Sequence, residues 1–144
     1  MGDLGKQEML DFLSEPHVAH LATVRPDGRP HLAPIWYMEK DGTAYVITKP
    51  DAVRTRNVQR NPQVSLSIAT DQRPFKYVIL EGHGRLIEGK VNGVIERICV
   101  RSEGPELGRA FAQGINQRGN GQILEIKVQR TISWDGSGSD GRQG

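Results

Sequence analysis

The residues best suited to chemistry sit in the middle of the chain. Lys49, Arg54, Arg56 and Asn57 follow a strand-like run that ends at Thr48. Asp51 can cap a helix over Ala52 to Arg60, so Arg54, Arg56 and Asn57 fall in its first turns. A helix opening presents unpaired backbone N–H groups and a partial positive charge. Arginine at that position suits a phosphate-class anion, because one guanidinium binds two oxygens at once. Just upstream, Pro34, Ile35 and Trp36 offer an apolar strand surface. An apolar platform beside a cationic helix entrance suits a flat ring with an anionic tail. From residue types alone, a solvated basic helix face continued by Arg60 fits equally well.

Other chemistries find less support. His17 and His20 fall on opposite faces of one strand, and no HExxH or paired-carboxylate spacing accompanies His31 or His83, so no metal site is expected. No nucleophile–base pair and no general acid stands out, and no catalytic side chain is assigned. That pattern fits a redox protein whose cofactor carries the difficult chemistry. The single cysteine, Cys99, rules out an internal disulfide framework and reads as a buried, inert thiol. A formal charge of +2 over 144 residues gives no concentrated basic face, so no nucleic-acid partner is expected. No run approaches the ~18 apolar residues of a membrane span. The opening residues MGDLGKQEML lack a signal peptide's apolar core, so a cytoplasmic location is expected.

The elements that must position the candidate residues follow from periodicity. Gln7 to Leu13 reads as a short helix ended by Pro16. His17 to Val24 is a first, central strand, and Arg25-Pro26-Asp27-Gly28 is a turn. One strand from Pro30 to Met38 follows, then a hairpin at Lys40-Asp41-Gly42 and a strand from Thr43 to Thr48. Trp36 and Tyr37, being adjacent, face opposite sides. Beyond the helix stopped by Asn61-Pro62, Gln63 to Ala69 and Phe75 to Ile87 are strands. Gly82 and Gly84 mark a bulge or a close backbone approach. Val91 to Val100 is helical, and Ser102 to Gly121 is glycine-rich, with one helical turn expected around Leu107, Ala110 and Phe111. Gln122 to Trp134 is the last strand. The fold class is therefore mainly β with short helices, a six-stranded antiparallel barrel, closed or half-closed.

In that order of elements the chain resembles the split-barrel flavin-binding superfamily that includes pyridoxamine 5'-phosphate oxidase. It is most similar to the branch of deazaflavin (coenzyme F-420)-dependent oxidoreductases. The resemblance rests on HLATVRPDGRPHLAPIWY at His20 to Tyr37, ITKPDAVRTRNVQRNPQVSL at Ile47 to Leu66, EGHGRLIE at Glu81 to Glu88 and SWD at Ser133 to Asp135. It implies a six-stranded split β-barrel domain over residues 1–135, a flexible Gly/Ser-rich tail at 136–144, and a homodimer with cofactor pockets at the subunit interface. It further implies that Pro34, Ile35 and Trp36 line the ring and that Thr48 contacts it. Arg54 takes the place of a phosphate-binding residue, with Lys49, Arg56 and Asn57 beside it.

Departures from the family pattern bear on the cofactor. The second-strand arginine and lysine of the pyridoxamine phosphate oxidases correspond to Ala33 and Met38, and their serine–arginine pair to Ala52-Val53. These differences argue against vitamin B6 oxidation and favour coenzyme F-420 over FMN. The expected function is hydride transfer between a bound deazaflavin and a small organic substrate. The alternatives are an FMN-dependent oxidoreductase of the same fold, or a non-catalytic flavin, deazaflavin or heme carrier.

Overall fold

The computed structural model describes residues 2–87 and 89–137; most of the expected tail, from 138 onward, lies outside them. The elements run α1 (Lys6–Ser14), β1 (Ala19–Val24), β2 (Pro30–Ile35), β3 (Tyr37–Lys40), β4 (Thr43–Thr48), α2 (Val53–Arg60), β5 (Gln63–Ala69), β6 (Lys76–Ile87), α3 (Asn92–Glu103), α4 (Pro105–Arg118) and β7 (Gln122–Asp135). The described strands form one antiparallel sheet in the order β2-β1-β5-β6-β7-β4-β3. None of the described helices is long and apolar enough to cross a membrane.

Among the described residues there are seven strands, not the six expected. The stretch Pro30 to Met38 breaks at Trp36, and its halves β2 and β3 lie at opposite edges of the sheet. A single residue spans at most ~3.6 Å, so the two edges come within about 7 Å at this point. An antiparallel sheet whose edges meet must curl into a half-barrel, which is why the expected single strand changes partners midway.

The curl creates two cores. Inside it, Ala19, Leu21, Tyr37, Val46, Leu66, Val78, Leu80, Leu124 and Ile126 are buried together with Phe12 and Leu13 of α1. The period-2 alternation of β5 places Val64, Leu66 and Ile68 inward, as expected. Behind β4 and β7, Ile123 packs with Val91, Ile95, Ile98 and Cys99 of the α3 region and with Ala112 of α4. The β4–β7 ladder is thus covered on both faces, which explains the unbroken burial from Gln122 to Ile126.

Arg101 of α3 fastens α1 to this frame. It donates 2.7 Å to the Tyr37 carbonyl and 2.8 Å to that of Glu15, and it also donates to the Leu13 carbonyl. Its guanidinium sits 4.4 Å from the Tyr37 ring centroid, while the Tyr37 hydroxyl donates 2.9 Å to the Leu13 carbonyl. Burial pushes the Tyr37 phenol above its ordinary range.

Two local expectations change. Asp51 does not cap α2; the cap position is Ala52, with no side-chain bond. The single helical turn expected near Leu107 is the long helix α4. The β6 irregularity is found as expected, a register shift between Glu81 and Gly82. A side chain at Gly82 would meet the Lys127 carbonyl oxygen at 1.9 Å and other backbone atoms of Lys127 and Val128. Backbone cannot yield as a flexible side chain can, so Gly82→Ala is expected to cost about 2 kcal/mol or more. Urea denaturation checks this; a wild-type midpoint would contradict the close approach.

Candidate functional site

The chain leaves β4 at Thr48 and turns through Lys49, Pro50 and Asp51 into α2. Proline at the second position pre-sets that turn. The Ala52 amide donates to the Lys49 carbonyl at 3.2 Å. Thr55 locks the corner, its hydroxyl lying 2.7 Å from both the Lys49 carbonyl oxygen and the Thr48 hydroxyl. Thr48 and Thr55 are both buried.

The corner delivers Arg54 to a pocket of about 180 Å³ lined by Ile47, Thr48, Lys49, Arg54, Ile115, Arg118, Asn120 and Gly121. Arg54 Nη2 donates 3.2 Å to the Ile47 carbonyl, which fixes the guanidinium at the end of β4. Its Nε is buried and has no hydrogen-bond partner among the described residues. Burial holds the Arg54 pKa below its ordinary value. Arginine nevertheless stays charged in proteins, so the cost of burying it is felt as a demand for a counter-charge. The first turn of α2 contains no acid and its cap position no side-chain acceptor, so the helix itself supplies none. Among the described residues Lys49 pairs with Asp51 alone, at 3.9 Å with both side chains largely exposed, and such a pair is easily exchanged for a ligand.

The other expected site residues separate. Arg56 is exposed and outside the pocket. Asn57 is buried; its Nδ2 donates 3.0 Å to the Thr23 hydroxyl and its Oδ1 accepts from Arg60 at 3.1 Å, so it ties α2 to β1. Pro34 is exposed, Ile35 packs against the inner core, and Trp36 packs against the outer one. None of these three lines the pocket. Trp36 reaches its wall indirectly, meeting Phe111 of α4 edge-to-face at 5.6 Å. The larger outer groove of about 470 Å³ across β1, β5, β6 and β7 holds none of the expected residues. There His83 is exposed, with Nδ1 3.2 Å from Gln129 Nε2.

Sequence reading missed Thr55, Ile115, Arg118 and Asn120. The available signal was the spacing of Phe111, Ile115 and Arg118, which falls on one helical face.

His31 reports on the site. On β2 it pairs with Thr23 of β1, and its Nδ1 is buried without a partner. Its pKa lies below the ordinary 6.5, chiefly from burial, with Arg25 and Arg54 adding repulsion. The unfolded chain therefore protonates first. The contribution to stability is full above pH 6.5 and is lost as pH falls toward the folded-state value. An anion bound at Arg54 would offset the repulsion, so phosphate is expected to raise the His31 pKa. An NMR titration of the imidazole checks this, and an unmoved pKa in a protein that binds phosphate would place the anion elsewhere.

Comparisons with known proteins agree with this fold. A family model described as pyridoxamine 5'-phosphate oxidase matches residues 6–135. No curated protein matches the chain in sequence. Among solved structures, the conserved hypothetical protein Rv2991 from Mycobacterium tuberculosis is 27% identical, with 94% of this chain and 87% of that one covered and a TM-score of 0.77. An F420 reductase is 20% identical over 84% of this chain and 93% of its own, with a TM-score of 0.69. HutZ, the heme storage protein from Vibrio cholerae, is 18% identical over 90% and 93%, with a TM-score of 0.70.

Proposed function

We propose, on the premise that this chain belongs to the pyridoxamine 5'-phosphate oxidase family, that it is a cytoplasmic homodimeric oxidoreductase holding coenzyme F-420 by its anionic tail between α2 and α4. The observation that carries this reading is Arg54, which lines a cationic pocket with its guanidinium fixed through Nη2 and its buried Nε without a partner among the described residues. When bound, the deazaflavin supplies hydride chemistry toward a small organic substrate. The chain's own residues bind, orient and exclude water. Arg54 and Lys49 take the anionic group, and Thr55 holds the corner that presents them. Ile47 and Ile115 give the pocket a dry wall that strengthens these charge contacts.

The size of the pocket suits one end of the ligand. At about 180 Å³ it is smaller than the ~300–1,000 Å³ that encloses a whole cofactor-sized molecule. On this reading the ring lies outside it, toward Trp36 and Phe111, where Phe111 remains 47% exposed. A second copy of the chain would cover it. The outer side of edge strand β2, where Leu32 is 65% exposed beside Pro34, offers apolar surface for that contact.

Cofactor choice rests on Ala33 and Met38. Ala33 faces Leu21 across the β1–β2 ladder and Met38 packs in the outer core, so neither contributes charge. This favours a deazaflavin over FMN. A heme carrier would need an iron ligand at the ring, and a Soret-type band on adding heme would favour that reading.

The test is a titration of the apo-protein with coenzyme F-420 and FMN in parallel, followed by tryptophan fluorescence. Tighter binding of F-420 is expected, followed by turnover when reduced F-420 is offered with candidate acceptors. Tighter FMN binding would move the protein to the FMN-dependent members, and binding of neither would remove the proposal. Arg54→Ala is expected to weaken cofactor binding about tenfold or more, some 1.4 kcal/mol, with folding intact. Unchanged affinity would strip Arg54 of this role.

A further inference from the structure

The last two turns of α4 form the far wall of the anion pocket. Ile115 and Arg118 both line it, and Phe111, one turn earlier on the same face, touches Trp36. Arg118 thereby joins Lys49 and Arg54 around a single cavity whose lining contains no acid. No ion pair holds Arg118 among the described residues. A cation in the last turn of a helix is favoured by the helix dipole. The dipole accounts for Arg118 being tolerated there, but not for its lining one pocket with Arg54, whose Nε is buried and has no partner among the described residues. Like charges gathered this way repel one another until an anion enters.

We propose that Arg118 is a third anion ligand, and that it makes the pocket selective for a multiply charged terminal group over a neutral one. The proposal deepens the cofactor reading above and rests on the same pocket. Its chemistry is that of a phosphate-bearing or polyanionic tail, whichever ring the tail carries. Arg118 acts by binding, and takes no part in a chemical step.

The test compares wild type, Arg118→Ala and Arg109→Ala. Arg109 lies on the same helix outside the pocket, 3.4 Å from Glu96, and controls for the loss of one positive charge. Coenzyme F-420, FMN, riboflavin and inorganic pyrophosphate are titrated at about 50 mM salt, where charge contacts are least screened. Far-UV circular dichroism checks that the variants are folded. Arg118→Ala is expected to weaken F-420, FMN and pyrophosphate about five- to tenfold while leaving riboflavin unchanged. Arg109→Ala is expected to match wild type. Equal weakening of riboflavin, or no weakening of the anions, would overturn the role of Arg118. If wild type binds pyrophosphate through Arg118 but takes neither F-420 nor FMN, the cofactor reading fails and the anion ligand stands. If the cofactors bind and Arg118→Ala behaves as wild type, the reverse holds. If wild type binds none of the four, both fall.

Discussion

The structure depends on the closure at Trp36. One residue separates the last position of β2 from the first of β3, yet these strands occupy opposite edges of the sheet. That connection cannot be made by a flat sheet. The curl it imposes puts Ile35 against one core and Tyr37 inside it, and turns Trp36 outward to the other. Tyr37 then gives Arg101 an aromatic face and a carbonyl, so α3 and the end of α1 are held to the same corner. Trp36 gives α4 a surface at Phe111, and α4 continues from there to the pocket.

The pocket is built from features that a helix usually avoids. α2 begins without a side-chain cap, its first turn carries arginine where acids are favoured, and that arginine is partly buried. Each feature is unfavourable alone. Together they form a fixed positive site in a low-dielectric corner, where an anion's interaction is stronger than in water. The Thr48–Thr55–Lys49 contacts hold the corner in place, so little reorganisation is required when a ligand arrives.

Much of the fold was legible because strands with one buried face alternate. Val64, Leu66 and Ile68 show that pattern, and the Lys40-Asp41-Gly42 hairpin declares itself through residues that accept positive φ, as Asp41 and Gly42 do. Two features were hidden. The break at Trp36 leaves no local mark, because a strand changing partners keeps its extended backbone and its apolar residues. Helix α4 was obscured by Gly108 and Gly114, which lower helix propensity. At Gly108 the reason is tertiary: a side chain there would meet the backbone of Cys99 and Val100 of α3 at 2.5–2.6 Å. Of the site, Thr48, Lys49 and Arg54 were legible from the strand-to-helix transition. Asn57 was expected beside the cofactor on the family pattern, whereas its amide is bonded to Thr23, distant in sequence. Arg118 showed only as part of a helical face with Phe111 and Ile115, and that this face lines the pocket depends on where α4 packs.

The family match fixes the setting without choosing the ligand: solved structures of this fold include an F420 reductase and a heme storage protein at 18–20% identity. The proposed preference for a deazaflavin rests on the uncharged Ala33 and Met38, and the proposed anion site on Arg54. The most direct measurement is a crystal structure of the protein grown with coenzyme F-420. The account predicts two subunits with an anionic oxygen of the cofactor within hydrogen-bond distance of Arg54 Nε and the ring beside Trp36 and Phe111. A cofactor anion seated elsewhere, with Arg54 Nε still unpartnered, would contradict it.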